Sequence, residues 1–333
     1  MVWFEFAICV ILITIAGSRL SRYGDAIADK TGLGGTWIGV ILLATVTSLP
    51  ELVTGVSSVV FAGTPDIAVG DILGSCVFNL LIIVILDSMY RPASVYSKAS
   101  QGHTLSAAFG VMLIGITGFN ILLSSQGNNL HIAHIGLYTP VIMVFYFIAM
   151  RTVFRYEKAQ VAKFAVLEED QYPDLTLQQA VIRYILAASL VVLAGSFLPF
   201  IGKEIAEQMG WYESFVGTLF IAFATSLPEV VVTIAALRLG AVDMAIGNLF
   251  GSNLFNILIL SIDDLLYTKG PLLENVSATH AVSALSAIMM TGVAIVGLFY
   301  RSETRVLKMV GWVSIFLFCV YLLNTFIMFL YGH

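Results

Sequence analysis

The chain has 333 residues, of which 59% are hydrophobic and only 11% charged, and its mean hydropathy is +0.93. Soluble globular chains carry about 45–50% apolar and about 25% charged residues. Sixteen Lys and Arg against twenty-one Asp and Glu leave a formal charge of −5, so a soluble globule, a disordered chain, a coiled coil and a nucleic-acid binder are all excluded. A polytopic membrane protein remains, and each acid inside the bilayer then needs a reason.

A bilayer-crossing helix takes about 20 mostly apolar residues. In chain order the sequence predicts ten: 2–18, 34–61, 66–88, 103–124, 131–150, 179–200, 213–237, 243–265, 278–300 and 307–330. Barrel strands would be about 10 residues of alternating polarity; these runs are longer and apolar all round, so the fold class is all-α. The first run, Val2 to Ile15, lacks a basic leader and is followed by its positive charges, which predicts a retained helix and not a signal peptide. The connections are short except for 151–178, which carries Arg151, Arg155, Lys158, Lys163 and the acidic Glu168, Glu169 and Asp170. Its 28 residues are too few for a further domain, so it is expected to be a linker between a first half, 1–150, and a second, 179–333.

Lys and Arg mark the cytoplasmic side of a membrane protein. The odd-numbered connections hold Arg19, Arg22, Lys30, Arg91, Lys98, Arg151, Arg155, Lys158, Lys163, Arg183, Arg238, Arg301, Arg305 and Lys308, fourteen of the sixteen basic residues. Only Lys203 and Lys269 fall on the other side. Both termini are therefore expected outside and the linker in the cytoplasm, in a plasma (inner) membrane.

Two segments repeat. Thr47-Ser48-Leu49-Pro50-Glu51, then Asp66-Ile67-Ala68-Val69-Gly70, then Gly74-Ser75-Cys76-Val77-Phe78-Asn79 match Thr225-Ser226-Leu227-Pro228-Glu229, then Asp243-Met244-Ala245-Ile246-Gly247, then Gly251-Ser252-Asn253-Leu254-Phe255-Asn256. The offset is 178 at the start and 177 at the end. The copies occupy spans two and three (about 39–87) and seven and eight (about 217–264). Five spans separate them, an odd number, so they enter the membrane from opposite sides. Two inverted five-helix halves are the architecture of alternating-access transporters with a midplane site.

Glu51 and Glu229 fall in mid-span, where an ionised acid costs roughly 2.5–3.5 kcal/mol on insertion scales. The proline before each, Pro50 and Pro228, has no N–H, so the carbonyls of Val46 and Ala224 lose their helical partners. Freed carbonyls in lipid must find another partner, and a cation is one. Thr47, Ser48, Thr225 and Ser226 add hydroxyls within a turn, and Asn79 and Asn256 add amide oxygens. On span three Asp71, Ser75 and Asn79 share a face at i, i+4, i+8, as Asn248, Ser252 and Asn256 do on span eight. Oxygen-only donors suit hard cations such as Ca²⁺ and argue against zinc or copper. The alternative for the glutamates is a buried protonated acid, and for Ser75 and Ser252 a hydroxyl bonded to its own helix. Gly70, Gly74, Gly247 and Gly251 are read as helix-packing positions.

The remaining polar residues suggest no chemistry. His103, His131, His134 and His280 lie at span edges and read as interfacial, while Asp87, Asp263 and Asp264 are expected near the headgroups. Cys9, Cys76 and Cys319 imply neither a disulfide nor a cluster. Nothing reads as a nucleotide loop, a catalytic triad or a phosphorylated aspartate, so the chain is not expected to be an enzyme or to hold a permanent cofactor.

The paired Thr-Ser-Leu-Pro-Glu and Gly-Ser-(Cys/Asn)-x-Phe-Asn segments resemble the two α-repeats of the sodium/calcium exchangers, in the cation/calcium antiporter superfamily. The resemblance implies repeats that meet at mid-membrane and bind Ca²⁺ or Na⁺ in alternation, with spans one and six sliding past a static core. It implies Glu51 and Glu229 as Ca²⁺ ligands, carbonyls from Thr47 and Thr225, and flanking sodium positions at Ser48, Ser75, Ser226, Ser252, Asn79 and Asn256. The chain departs from the family at Val46 and Ala224, where Gly is usual, and at Asp71, where Asn is usual. Asn256 stands where potassium-dependent relatives carry Asp, so potassium dependence is not expected. The large calcium-sensing loop of eukaryotic members has no counterpart in 151–178.

The expected function is Ca²⁺/Na⁺ antiport by alternating access. Ca²⁺/H⁺ or other divalent-cation antiport, with Glu51, Glu229 or Asp71 cycling protons, is the alternative. A cation channel or sensor is the remote one. The partners implied are Ca²⁺, Na⁺ (H⁺ under the alternative) and the lipid bilayer, with no nucleic acid and no large regulatory domain.

Overall fold

Apolar runs in lipid leave the backbone no hydrogen-bond partner but itself, and helices result. The computed structural model describes residues 1–30, 44–91, 93–100, 102–127, 130–161, 172, 174–301, 305–306 and 310–332. Its helices are α1 (Val2–Lys30), α2 (Leu49–Ser57), α3 (Pro65–Met89), the short α4 (Val95–Lys98), α5 (His103–Ser124), α6 (Tyr138–Val161) and α7 (Leu177–Met209). There follow α8 (Glu213–Val216), α9 (Ala222–Thr225), α10 (Leu227–Arg238), α11 (Val242–Leu266), α12 (His280–Tyr300) and α13 (Trp312–Tyr331). Seven of the described helices are long and apolar enough to cross a membrane (α1, α3, α5, α7, α11, α12 and α13), and the bent α8–α10 segment can form an eighth. Residues 39–43, where the first repeat begins, and Lys163, Glu168, Glu169 and Asp170 of the linker lie outside the described residues.

Spans three and eight, α3 and α11, cross at the centre and are buried on nearly every side. Around them pack α5, α12, α13 and α6 in one continuous apolar core. A second layer is formed by α1 and α7, which pack along each other. This layer meets the core through glycines at matching positions: Gly17 of α1 lies against Pro228, and Gly195 of α7 against Val53 and Thr54.

The inversion is visible in the end contacts. Asp66, in the first turn of α3, accepts from the amide of Ser277 and lies 3.0 Å from His280 Nε2, both just beyond the end of α11. Asp243, in the first turn of α11, accepts from the amide of Ser100 and lies 3.0 Å from His103 Nε2, both just beyond the end of α3. The two helices therefore run antiparallel.

Several expected boundaries shift. Span five does not begin at 131: residues His131–Ile132 (β1) and Ile135–Gly136 (β2) pair antiparallel, and α6 starts at Tyr138. Span ten does not begin at 307: Arg305–Val306 (β3) pairs with Val310–Gly311 (β4), and α13 starts at Trp312. The expected linker is narrowed from both ends, since α6 runs to Val161 and α7 begins at Leu177 behind a Thr176/Gln179 capping box.

The cause of the hairpins is a buried aspartate at each. Asp264 accepts from the Gly136 and Leu272 amides at 3.0 and 2.7 Å and from the Tyr138 and Thr139 hydroxyls, both at 2.5 Å. Asp87 accepts from the Val95 and Gly311 amides at 3.0 and 2.8 Å and from the Ser94 and Ser314 hydroxyls at 3.1 and 2.8 Å. Asp87 and Asp264 lie at the helix ends, as expected, but both side chains are fully buried in protein, where they tie the ends of α3 and α11 to the loops around them.

Candidate cation site

Pro50 and Pro228 sit in the first turns of α2 and α10, where a missing N–H costs nothing. Each helix is preceded by a serine with near-identical off-helix geometry, Ser48 at φ −86°, ψ 15° and Ser226 at φ −84°, ψ 5°. Helical residues 44–47 precede the first break; across the second, the axis turns by 44°. The breaks bring Glu51 and Glu229 to the start of a fresh helix in the middle of the protein, both at 0% exposure.

The two repeats then exchange hydrogen bonds. Ser226 donates to Glu51 Oε1 and Ser48 to Glu229 Oε1, both at 3.1 Å, each serine serving the other half's glutamate. Within each half, Ser75 donates to Glu51 Oε1 and Ser252 to Glu229 Oε1, both at 3.5 Å. All four bonds end on Oε1; neither Oε2 has a partner. Thr47 Oγ1 lies 3.4 Å from Ser252 Oγ, and Ser226 Oγ lies 2.9 Å from Ser75 Oγ, so the hydroxyls form two linked pairs.

The flanking face is less symmetric. Asn79 donates to the side chain of Asn253 at 3.0 Å, and Asn253 donates to the Cys76 carbonyl at 3.2 Å, pinning α3 to α11 where they cross. Asn256 is buried with neither amide atom partnered, and Asn79 Oδ1 is also without a donor. Thr225 donates to Asp71 Oδ1 at 2.8 Å, while Asp71 Oδ2 has no partner. Asn248, at the matching position of α11, lies 3.4 Å from Thr233 Oγ1.

Thr47, Ser48, Glu51, Asp71, Ser75, Asn79, Thr225, Ser226, Glu229, Ser252 and Asn256 are thus all fully buried in the two broken spans and the two helices crossing beside them. Glu51 is desolvated and within reach of the charges of Glu229 and Asp71. Among the described residues no Lys or Arg pairs with these acids; ion pairs elsewhere include His103–Asp243, His280–Asp66 and Arg305–Asp87. Nor, among the described residues, do three His, Cys, Asp or Glu side chains converge. The donor set is two carboxylates amid hydroxyl and amide oxygens, a composition suited to a hard cation.

Three features escaped the sequence reading. Asn253 is a crossing residue whose only signal was its place beside Ser252. His103 and His280 are paired with aspartates, where interfacial positions were expected; His280 is fully buried. Asp263, expected near the headgroups, is fully buried with neither oxygen partnered.

The sequence profile described as "Sodium/calcium exchanger protein" matches residues 1–155 and 180–327. CaxA of Alkalimonas amylolytica is 25% identical over 250 residues, 75% of each chain. The sodium/calcium exchanger MaX1 of Methanosarcina acetivorans is 24% identical over 274 residues, 74% of this chain and 77% of that one. Among solved structures, the sodium-calcium exchanger NCX_Mj soaked with 10 mM Na⁺ superposes with a TM-score of 0.61 at 20% identity, covering 97% of this chain and 98% of that one. At that identity the likeness is one of fold.

Proposed function

The chain belongs to the sodium/calcium exchanger protein family, and from that premise we propose that it is a secondary antiporter exchanging Ca²⁺ for Na⁺ at the mid-membrane site. Glu51 and Glu229 hold the divalent ion through their Oε2 atoms, with the Thr47 and Thr225 carbonyls beside them. Ser48, Ser75, Ser226, Ser252, Asn79 and Asn256 complete the sodium positions. The observation that carries this reading is the shared geometry of the two buried glutamates: Oε1 held by serines of both repeats, Oε2 free, and no basic partner among the described residues.

Exchange follows from competition. Two carboxylates are neutralised by one divalent ion or by monovalent ions, and only a neutralised site crosses between inward-facing and outward-facing states at low cost, because an uncompensated buried charge is expensive. The α1–α7 layer, touching the core through Gly17 and Gly195, is the part free to slide. The expected topology, with termini outside and 151–178 cytoplasmic, belongs to the same proposal.

Ca²⁺/H⁺ exchange is the second reading, favoured by Asp71, a third buried acid with one free oxygen that cycles a proton in that scheme. Sodium-gradient-driven ⁴⁵Ca²⁺ uptake into proteoliposomes separates the two. Uptake driven by Na⁺ at symmetrical pH supports the sodium reading; uptake driven only by a pH gradient rejects it.

A further inference from the structure

Two buried acids break the repeat. The counterpart of Asp71 at the 177 offset is Asn248, and the counterpart of Asp263 is Leu86. Both acids lie in the same half of the membrane: Asp71 is near the start of α3 and Asp263 near the end of α11, and these two ends are side by side. Asp263 is 0% exposed and neither of its oxygens has a hydrogen-bond partner. Its neighbour Asp264 spends its own oxygens on the hairpin, so the two are not equivalent.

The Asp263 carboxylate lies over Gly55, one helical turn beyond Glu51 on α2. A Cβ at Gly55 would stand 2.9 Å from Asp263 Oδ1 and closer still to Oδ2. Asp263 is also on the face of Asn256, two turns along α11. Desolvated there, Asp263 feels the charge of Asp71 as well as that of Asp264. Immediately beyond Gly55 the helix widens into a π turn, Ser58–Ala62, a deviation concentrated at functional sites. The matching stretch of α10 is regular helix as far as Arg238, where that helix ends, and the second repeat's π turn, Gly217–Ile221, lies before its break.

We propose that Asp263, with the free oxygen of Asp71, forms a cation-receiving station on one side of the central site only, the side where α3 begins and α11 ends. Its ligand is the transported hard cation, still partly hydrated, since no three acids converge into a cage among the described residues. A carboxylate with both oxygens free attracts a cation toward Glu51 from that side, and the opposite approach has Asn248 and Leu86 at the matching positions. The two faces of the antiporter therefore differ in apparent affinity although its halves share a fold. Under the expected topology the favoured face is the outer one. This inference rests on the antiport reading above.

The test compares Asp263→Asn with wild type in right-side-out and inside-out membrane vesicles, with ⁴⁵Ca²⁺ presented to one face at a time. Asp263→Asn is expected to raise the half-saturating Ca²⁺ concentration about tenfold, which is about 1.4 kcal/mol, on the α3-start face and less than twofold on the other. Asp263→Glu, which keeps the charge, should stay near wild type and guards against a folding defect in the Asn variant. Equal shifts on both faces, or none, overturn the proposal. Equilibrium ⁴⁵Ca²⁺ binding to the purified chain separates its failure from that of the antiport reading. If Na⁺ drives no uptake but Asp263→Asn still weakens binding, the coupling fails and the station stands. If exchange is intact and neither face shifts, the station fails; if the wild-type chain binds no Ca²⁺, both fail.

Discussion

Replacing Glu51 by Gln isolates the charge of the central site from its shape. Gln is isosteric, and its amide oxygen can take the place of Oε1 beneath Ser226 and Ser75. Its NH₂ then replaces Oε2, an atom that has no partner already. One new unpartnered donor costs about 1–3 kcal/mol, set against relief from burying an ionised carboxylate, so cation-free stability should change little. Cation binding should not be spared. A divalent ion at a ligand distance of about 2.5 Å from a carboxylate oxygen has a gross attraction on the order of 10 kcal/mol at an effective dielectric of about 20. Dehydration of the ion cancels most of this, and removing one partner of a buried charge pair typically costs about 3–5 kcal/mol net. Affinity for Ca²⁺ should thus fall by about 10²–10⁴-fold. The assay is thermal unfolding of the purified protein against Ca²⁺ concentration. Ligand at about 100 times Kd stabilises by about 2.7 kcal/mol, so wild type should melt several degrees higher there, while Glu51→Gln should melt at its cation-free temperature. A Ca²⁺-dependent rise in the variant equal to that of wild type would refute Glu51 as a ligand.

Asp264→Ala strips the acceptor from two amides and two hydroxyls in a buried setting, and Asp87→Ala does the same at the opposite end. Each should destabilise by about 3–5 kcal/mol, read as a lowered melting temperature, with Ca²⁺ affinity of the folded fraction held within threefold. Gly17→Ala should cripple exchange, because its Cβ would stand 2.9 Å from Pro228 Cβ and closer still to Cγ. Gly195→Ala should be mild, since its Cβ would stand 3.2 Å from the Val53 side chain. The readout is initial exchange rate alongside equilibrium Ca²⁺ binding, and equal losses in the two variants would contradict the contact geometry. Ser226→Ala should raise the half-saturating Ca²⁺ concentration more than Ser48→Ala, by about threefold to tenfold: both serines hold the opposite glutamate, but Ser226 also lies 2.9 Å from Ser75 Oγ.

The gathering of these buried residues was legible because they are tied to a motif that occurs twice. Thr-Ser-Leu-Pro-Glu announces a helix break and a mid-span acid together, and the second copy removes chance as an explanation. The end locks were less legible because their partners lie far away along the chain: Asp87 reaches Gly311 and Ser314, and Asp264 reaches Gly136 and Thr139. An acid near a helix end gives no local sign of whether it faces water or a buried loop. The repeat carried that sign, had its offset been followed past Asn79 and Asn256. Asp87 and Asp264, His103 and His280, and Asp66 and Asp243 all stand 177 apart. Boundaries failed for a related reason: residues 131–136 and 310–311 read as span, while in the structure they pair as strands and their Gly136 and Gly311 amides bind buried aspartates.

The same offset sorts the acids of these helices by what they can do. Asp87 with Asp264 obey the repeat and have both oxygens taken by partners at the helix ends, and Asp66 with Asp243 obey it from more exposed positions, each using one oxygen, so both pairs hold equivalent joints in the two halves. Glu51 and Glu229 obey it too, but each keeps a free oxygen, as a site shared equally by two inverted halves demands. Asp71 and Asp263 disobey it, keep free oxygens, and fall in one half of the membrane. Inverted repeats alone would present the same approach to a cation from either face. A transporter working between compartments of unequal Ca²⁺ and Na⁺ gains from unequal approaches, and charge at positions where the partner repeat has none is the smallest change in sequence that makes them unequal.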